Sequence, residues 1–362
     1  MKPLTLKQRI ALELNRSRKL ERRKAHRLRQ LFWECTWRCN LGCRHCGSDC
    51  KSSSVQPDMP AADFLRVIDS LLPHVNPHQV NIVITGGEPL VRHDLEYVGR
   101  ELYDRGFPWG IVTNGLLLDE RRLESLRAAG LHNLTISLDG LEPTHNWMRN
   151  HPSSFRRALA AIRRAAKAED LNFDVVTCVN RRSLAELGEL KLLLVQAAVK
   201  KWRLFTIFPA GRAAAYPEFD LDEEQIESLM RFIADTRQEG CIHASFCCEG
   251  FMAGYEGQIR DYYFECQAGV SVASVLLDGG IGACPSIRAD YRQGNIYQDD
   301  FWDVWQNRYR QYRDRDWMKT GTCASCSFWR YCEGNGMHLR DAHGNLTHCH
   351  LLKTNRPQKP LL

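Results

Sequence analysis

Between residue 31 and about residue 240, short apolar runs alternate with longer amphipathic stretches. The runs at 31–36, 80–85, 109–113, 133–138, 173–179 and 202–208 are rich in Val, Ile, Leu, Phe or Trp. They stop at turn formers such as Gly86-Gly87, Asn114-Gly115, Asp139-Gly140 and Pro209, the signature of buried strands. The stretches between them, 60–72, 94–105, 119–129, 153–168, 183–198 and 222–238, have the length and period of helices. Six β/α units in series predict a parallel sheet with right-handed crossovers. Six are too few to close an eight-unit barrel, which leaves a curved, open partial barrel or a doubly wound sheet. In both, functional residues belong at the C-terminal strand ends.

The pattern changes on either side. Residues 1–30 contain no Gly and only Pro3, and read as a basic helix. Leu6, Ile10 and Leu14 form a narrow apolar stripe expected to lie on the domain with the basic face in water; a docking surface for an acidic peptide or partner is the sharper reading. From residue 241 helical periodicity weakens. A hairpin is expected around Asp278-Gly279 and a short helix over 301–310, with loops held by something other than a large apolar core. The divisions are 1–30, 31–240 and 241–362.

Composition sharpens this picture. The net charge of +6 belongs to the start of the chain, where eleven Lys and Arg face two Glu in residues 1–30, leaving −3 for the remainder. A nucleic-acid-binding body is therefore not expected, and no aromatic residue interleaves the basic run. No apolar run is long enough to span a membrane and no secretory signal is evident, so a cytoplasmic location is expected. The fifteen cysteines are concentrated, five between Cys35 and Cys50 and nine between Cys241 and Cys349. Paired short spacings in two groups predict metal rather than disulfides.

Cys39, Cys43 and Cys46 form a CxxxCxxC loop after the first strand. Three thiolates can cap three irons of a [4Fe–4S] cube and leave one iron open, unless Cys35 or Cys50 supplies a fourth. Further strand ends carry Gly86, Gly87, Glu88 and Pro89, then Asn114, then Ser137 and Asp139, then Asn180. This set resembles the radical SAM superfamily over roughly residues 31–240. The resemblance implies a partial (β/α)6 TIM-like barrel whose open iron chelates S-adenosylmethionine (SAM) and cleaves it to a 5′-deoxyadenosyl radical. It also implies adenine contact by His45, a Gly-Gly-Glu-Pro segment at the methionyl amine, and ribose contacts by Ser137 and Asp139. Asn114 and Asn180 are weaker candidates for SAM contact, and Arg149 or Arg181 for its carboxylate. Glu34 and Thr36, just before the loop, are expected to be structural hydrogen-bonders.

Cys323, Cys326, Cys332 and Cys349 provide a second complete donor set, with Cys266 and Cys284 upstream. This layout resembles the SPASM extension of radical SAM enzymes, an α/β barrel followed by an iron–sulfur domain with one or two auxiliary clusters. One position departs from it: Gly336 stands where a cysteine is expected. Cys248 is the candidate to join Cys266 and Cys284, with the fourth iron open or filled by Cys247 or by substrate. The resemblance implies an oxidative reaction on a peptide or protein substrate, as in ribosomal-peptide maturases, with a flavodoxin or ferredoxin as reductant. Oxidation of a porphyrin or sugar-type small molecule, and a non-catalytic electron carrier, are the alternatives.

Overall fold

The computed structural model describes residues 4–247 and 249–351. Helix α1, Leu6–Ala25, starts at a Thr5/Gln8 capping box, which satisfies two otherwise orphaned amides. The strand–helix series then runs β1 (Gln30–Glu34), α2 (Ala61–Leu71), β2 (Asn81–Thr85), α3 (Leu95–Asp104), β3 (Trp109–Thr113), α4 (Glu120–Ala128) and β4 (Leu131–Ser137). It continues through α5 (Glu142–Arg149), α6 (Ser154–Ala165), β5 (Asn172–Val179), α7 (Arg181–Gln196), β6 (Lys201–Thr206), α8 (Glu223–Glu239) and β7 (His243–Phe246). All six expected strands are present. The C-terminal part adds β8 (Val272–Val275), β9 (Gly280–Gly282), β10 (Gly294–Asn295), α9 (Phe301–Asn307), α10 (Arg310–Arg313) and α11 (Trp329–Cys332).

The strands form one open sheet in the order β10-β9-β8-β1-β2-β3-β4-β5-β6-β7. Strands β1 to β7 are parallel, β8 is parallel to β1, and β8–β9 make the expected hairpin. The C-terminal segment thus extends the barrel sheet at its β1 edge, so the division at residue 241 falls within a continuous sheet. Trp33, Ile82, Ile84, Trp109, Ile136, Val175 and Trp202 are buried against the helical layer. The opposite face is polar at the start of the strands. Lys201 donates to Asn172 (2.6 Å), Asn172 to Asn133 (2.6 Å) and Asn133 to Asn81 (2.7 Å). Above this floor Arg203 pairs with Asp174, and the space within measures about 420 Å³. The floor lies at the N-terminal strand ends, opposite the chemical motifs.

Helix α1 reverses the orientation expected from its stripe. Leu6, Ile10 and Leu14 are 75%, 54% and 59% exposed, whereas Lys19 is buried. Lys19 Nζ donates to the Tyr331 carbonyl at 2.6 Å, Arg23 pairs with Glu333 at 2.5 Å, and Arg22 pairs with the buried Glu265 at 2.5 Å. Charge-assisted hydrogen bonds to acidic partners from the C-terminal part outweigh the burial of three aliphatic side chains on a narrow stripe.

Candidate active site at the C-terminal strand ends

The cluster loop leaves β1 and is fixed from three directions. The Cys39 amide donates to the Lys51 carbonyl at 2.7 Å, and the Arg44 amide to the Met148 carbonyl at 2.8 Å. Arg212 donates through Nε to the Cys43 carbonyl (2.7 Å), through its backbone amide to the Cys46 carbonyl (3.0 Å), and through Nη1 to the Cys50 carbonyl (2.9 Å). Nothing in the sequence marks Arg212, which lies 166 positions beyond Cys46.

The third constraint is the end of β2. The Gly87 amide donates to the Thr36 carbonyl (2.6 Å) and the Glu88 amide to the Arg38 carbonyl (3.0 Å). A Cβ on Gly86, whose φ is +140°, would stand 2.3 Å from the Thr36 oxygen; one on Gly87 would stand 2.2 Å from the Arg38 oxygen. The Gly-Gly pair therefore lets this turn press against the base of the cluster loop.

Burial pushes the Cys39 thiol up to about 12 and raises Cys43, although Arg149 Nη1 lies 3.8 Å from Cys43 Sγ. Cys46 is drawn down because the Cys50 thiol and the Ser48 and Cys50 amides donate to it. Cys50 thus sits beside the three-cysteine set, while Cys35 is fully buried in the apolar core. The three convergent thiols on one buffered loop fit a [4Fe–4S] cube.

Glu88 is buried beneath the loop. Its Oε1 accepts from Thr113 Oγ1 (2.7 Å) and the Leu90 amide (3.1 Å), and its Oε2 accepts from the Asn114 amide (2.8 Å). Burial raises its carboxyl against these three donors. One acceptor position remains on Oε2, enough for an ammonium. Pro89 starts the short turn that follows. Asn114 Nδ2 donates to Asn40 Oδ1 at 2.8 Å, joining the β3 end to the cluster loop.

Ser137 and Asp139 close β4, both buried. Asp139 Oδ2 accepts from Arg149 Nε (2.6 Å) and Oδ1 from the Cys178 amide (3.0 Å). Burial opposes its charge, but Arg149 with His45 and His145 nearby holds its carboxyl at about 2. His45 Nε2 is 3.9 Å from Asp139, its Nδ1 has no partner, and Phe219 packs edge-on at 6.1 Å. Donor atoms of His45, Asp139 and Cys178 lie within 4.8 Å of one another; both Asp139 oxygens are engaged, by Arg149 and the Cys178 amide, and His45 lies beside them without a hydrogen bond to either. Asn180 caps α7 by accepting from the Arg182 and Ser183 amides. Arg149 faces the site, whereas Arg181 donates to the Asp220 carbonyl at the surface. Glu34 is buried within 3.5 Å of Arg288, and Thr36 donates to Asp58.

His145 gives a pH-dependent signature. Its Nδ1 accepts from the Asp139 amide (3.0 Å), so Nε2 carries the proton to Ser154 Oγ (3.0 Å). Burial drives its pKa down to about 3. The unfolded chain then binds a proton below about pH 6.5 that the folded chain refuses, so stability falls with pH across that window. His145→Gln is expected to remove about 1.4 kcal/mol per pH unit from the slope between pH 6 and 4, measured by urea unfolding of the cluster-free protein.

At the C-terminal end, Cys323 and Cys332 are buried and Cys326 and Cys349 partly so. Burial and the neighbouring Cys349 push the Cys332 thiol up, and Arg340 Nη2 lies 3.4 Å from Cys323 Sγ. This four-thiol set fits an iron–sulfur cluster with a full complement of protein ligands. Burial opposes ionisation of Cys266, yet Arg315 and the Met337 and Ala268 amides draw it down; burial pushes Cys284, near Cys266, up to about 11. Cys247 Sγ lies 4.0 Å from Arg203 in the barrel interior. Cys248 lies outside the described residues.

Residues 33–194 match the radical SAM superfamily, and residues 266–327 match SPASM, an iron–sulfur cluster-binding domain. The chain is 28% identical over 324 residues to the AdoMet-dependent heme synthase of Methanosarcina barkeri, covering 84% of this chain and 90% of that one. It is 28% identical over 314 residues to the mycofactocin maturase MftC of Mycobacterium tuberculosis, covering 85% and 78%. Among solved structures, Streptococcus suis SuiB bound to S-adenosylmethionine aligns with a TM-score of 0.68 at 18% identity, over 89% of this chain and 77% of that one.

Proposed function

We propose that this chain, a radical SAM enzyme with an iron–sulfur SPASM domain, oxidises an acid-bearing tetrapyrrole. The observation that carries the reading is the similarity to a protein named AdoMet-dependent heme synthase along nearly the whole of both chains. On α1, Lys19, Arg22 and Arg23 are engaged by Tyr331, Glu265 and Glu333, which leaves Lys7, Arg9, Arg18 and Lys24 as its exposed basic residues. This reading promotes the small-molecule alternative over the peptide substrate that the sequence alone favours.

Cys39, Cys43 and Cys46 would hold the SAM-binding cluster, and the C-terminal cysteines one or two auxiliary clusters. Cluster and SAM together supply the radical that takes hydrogen from the substrate. The chain's own residues position SAM: the open acceptor of Glu88 suits the ammonium, Arg149 the carboxylate, Ser137 the ribose and His45 the adenine. Asn114 and Asn180 hold the surrounding backbone. An oxidised product must also give up an electron, for which a thiolate-bound cluster is a suitable acceptor.

Similarity to MftC over 85% of this chain favours a peptide as the second reading. Anaerobic titration of the cluster-loaded protein with iron coproporphyrin, followed by Soret absorbance, separates the two. A saturable shift with a Kd on the order of micromolar is expected. An unshifted Soret band at saturating protein would remove the tetrapyrrole reading.

A further inference from the structure

A short turn places an imidazole and a thiol donor together at the position where the cysteine pattern breaks. Gly336 precedes the 3-10 turn Met337–Leu339. The Met337 amide donates to Cys266 Sγ, and Cys266 and Cys284 act on each other and on Tyr312. A Cβ built on Gly336 would stand 2.6 Å from His338 Cε1 and 2.9 Å from His338 Nδ1. The ring therefore fills the space into which a side chain at 336 would project. Phe208 flanks it, with ring centroids 5.1 Å apart. Among the described residues, neither ring nitrogen has a hydrogen-bond partner. The imidazole is half-buried, and a nitrogen donor can replace a thiolate on cluster iron.

We propose that His338 is an iron ligand, and that Cys266, Cys284 and His338 together hold an iron–sulfur cluster with one iron left without one of these ligands. The inference rests on the SPASM domain and not on the identity of the substrate. A neutral imidazole in place of a thiolate makes the cluster less negative and raises its reduction potential.

The test uses full-length protein, reconstituted anaerobically and reduced without SAM, so that no SAM nitrogen contributes. Pulsed electron paramagnetic resonance of the wild type should show a strong nitrogen coupling that changes to the 15N pattern when histidine is 15N-labelled. His338→Ala should lose that coupling and about four irons per chain, with the signals of the other clusters retained. Gly336→Cys/His338→Ala should recover the iron but not the nitrogen coupling, since removing the ring opens the space the new side chain needs. Absence of the 15N-sensitive coupling in folded wild type would overturn the proposal, as would wild-type iron and spectra in His338→Ala. The wild-type measurement stands even where a variant fails to fold.

Discussion

Asp139→Ala is expected to cost about 3–5 kcal/mol and to lower the melting temperature by roughly 6–10 °C. Asp139 is fully buried and holds Arg149 at 2.6 Å and the Cys178 amide at 3.0 Å. Removing the carboxylate strands a buried guanidinium whose remaining side-chain neighbour is the Cys43 thiol at 3.8 Å. A buried pair broken on one side costs far more than one replaced on both sides by apolar groups. Asp139→Ala/Arg149→Met should therefore recover most of the stability. On the proposed reading SAM affinity should stay low in both variants: the single variant leaves Arg149, proposed for the SAM carboxylate, without the Asp139 carboxylate that orients it, and the double variant removes Arg149 as well. Thermal unfolding together with calorimetric SAM titration separates the two effects. Equal melting temperatures for single and double variants would show that the pair is not coupled.

Gly87→Ala is expected to abolish the N-terminal cluster while leaving the sheet folded. The added Cβ would meet the Arg38 carbonyl oxygen at 2.2 Å, a backbone atom that yields only if the segment before Cys39 moves. Overpacking of this kind costs about 1–3 kcal/mol, less than would unfold a domain of this size, but the displacement falls on the ligand loop. Iron per chain should drop by about four, with circular dichroism unchanged. Gly188→Ala in α7 is the control. Nothing lies within 4 Å of its Cβ position, so a gain of roughly 0.5–1 kcal/mol is expected. Full iron loading of Gly87→Ala would show that the β2 turn does not set the cluster loop.

Much of the site was legible because its signals are local. The CxxxCxxC loop, the Gly-Gly-Glu-Pro turn and the Ser-Leu-Asp segment each occupy adjacent positions, and apolar runs of five to eight residues mark β1 to β6. Strands β7 to β10 have four, four, three and two residues, too few for periodicity to register. Pairing with β1 across more than 240 positions brings β8 into the sheet. The orientation of α1 was hidden for a related reason: Glu265 and Glu333, which pair with Arg22 and Arg23 beside the buried Lys19, lie far along the chain. Arg212 and the Cys46–Cys50 contact are likewise products of tertiary folding. Gly336 was visible as a departure, but only the side chain packed over it suggests what fills the gap.

The most direct test of the central reading is anaerobic turnover with SAM, a reductant and iron coproporphyrin, with Cys39→Ala/Cys43→Ala/Cys46→Ala as control. 5′-Deoxyadenosine is expected together with a porphyrin that has lost hydrogen, alone or with carbon dioxide, and neither product in the control. An unchanged porphyrin beside a short peptide that loses two hydrogens under the same conditions would contradict it.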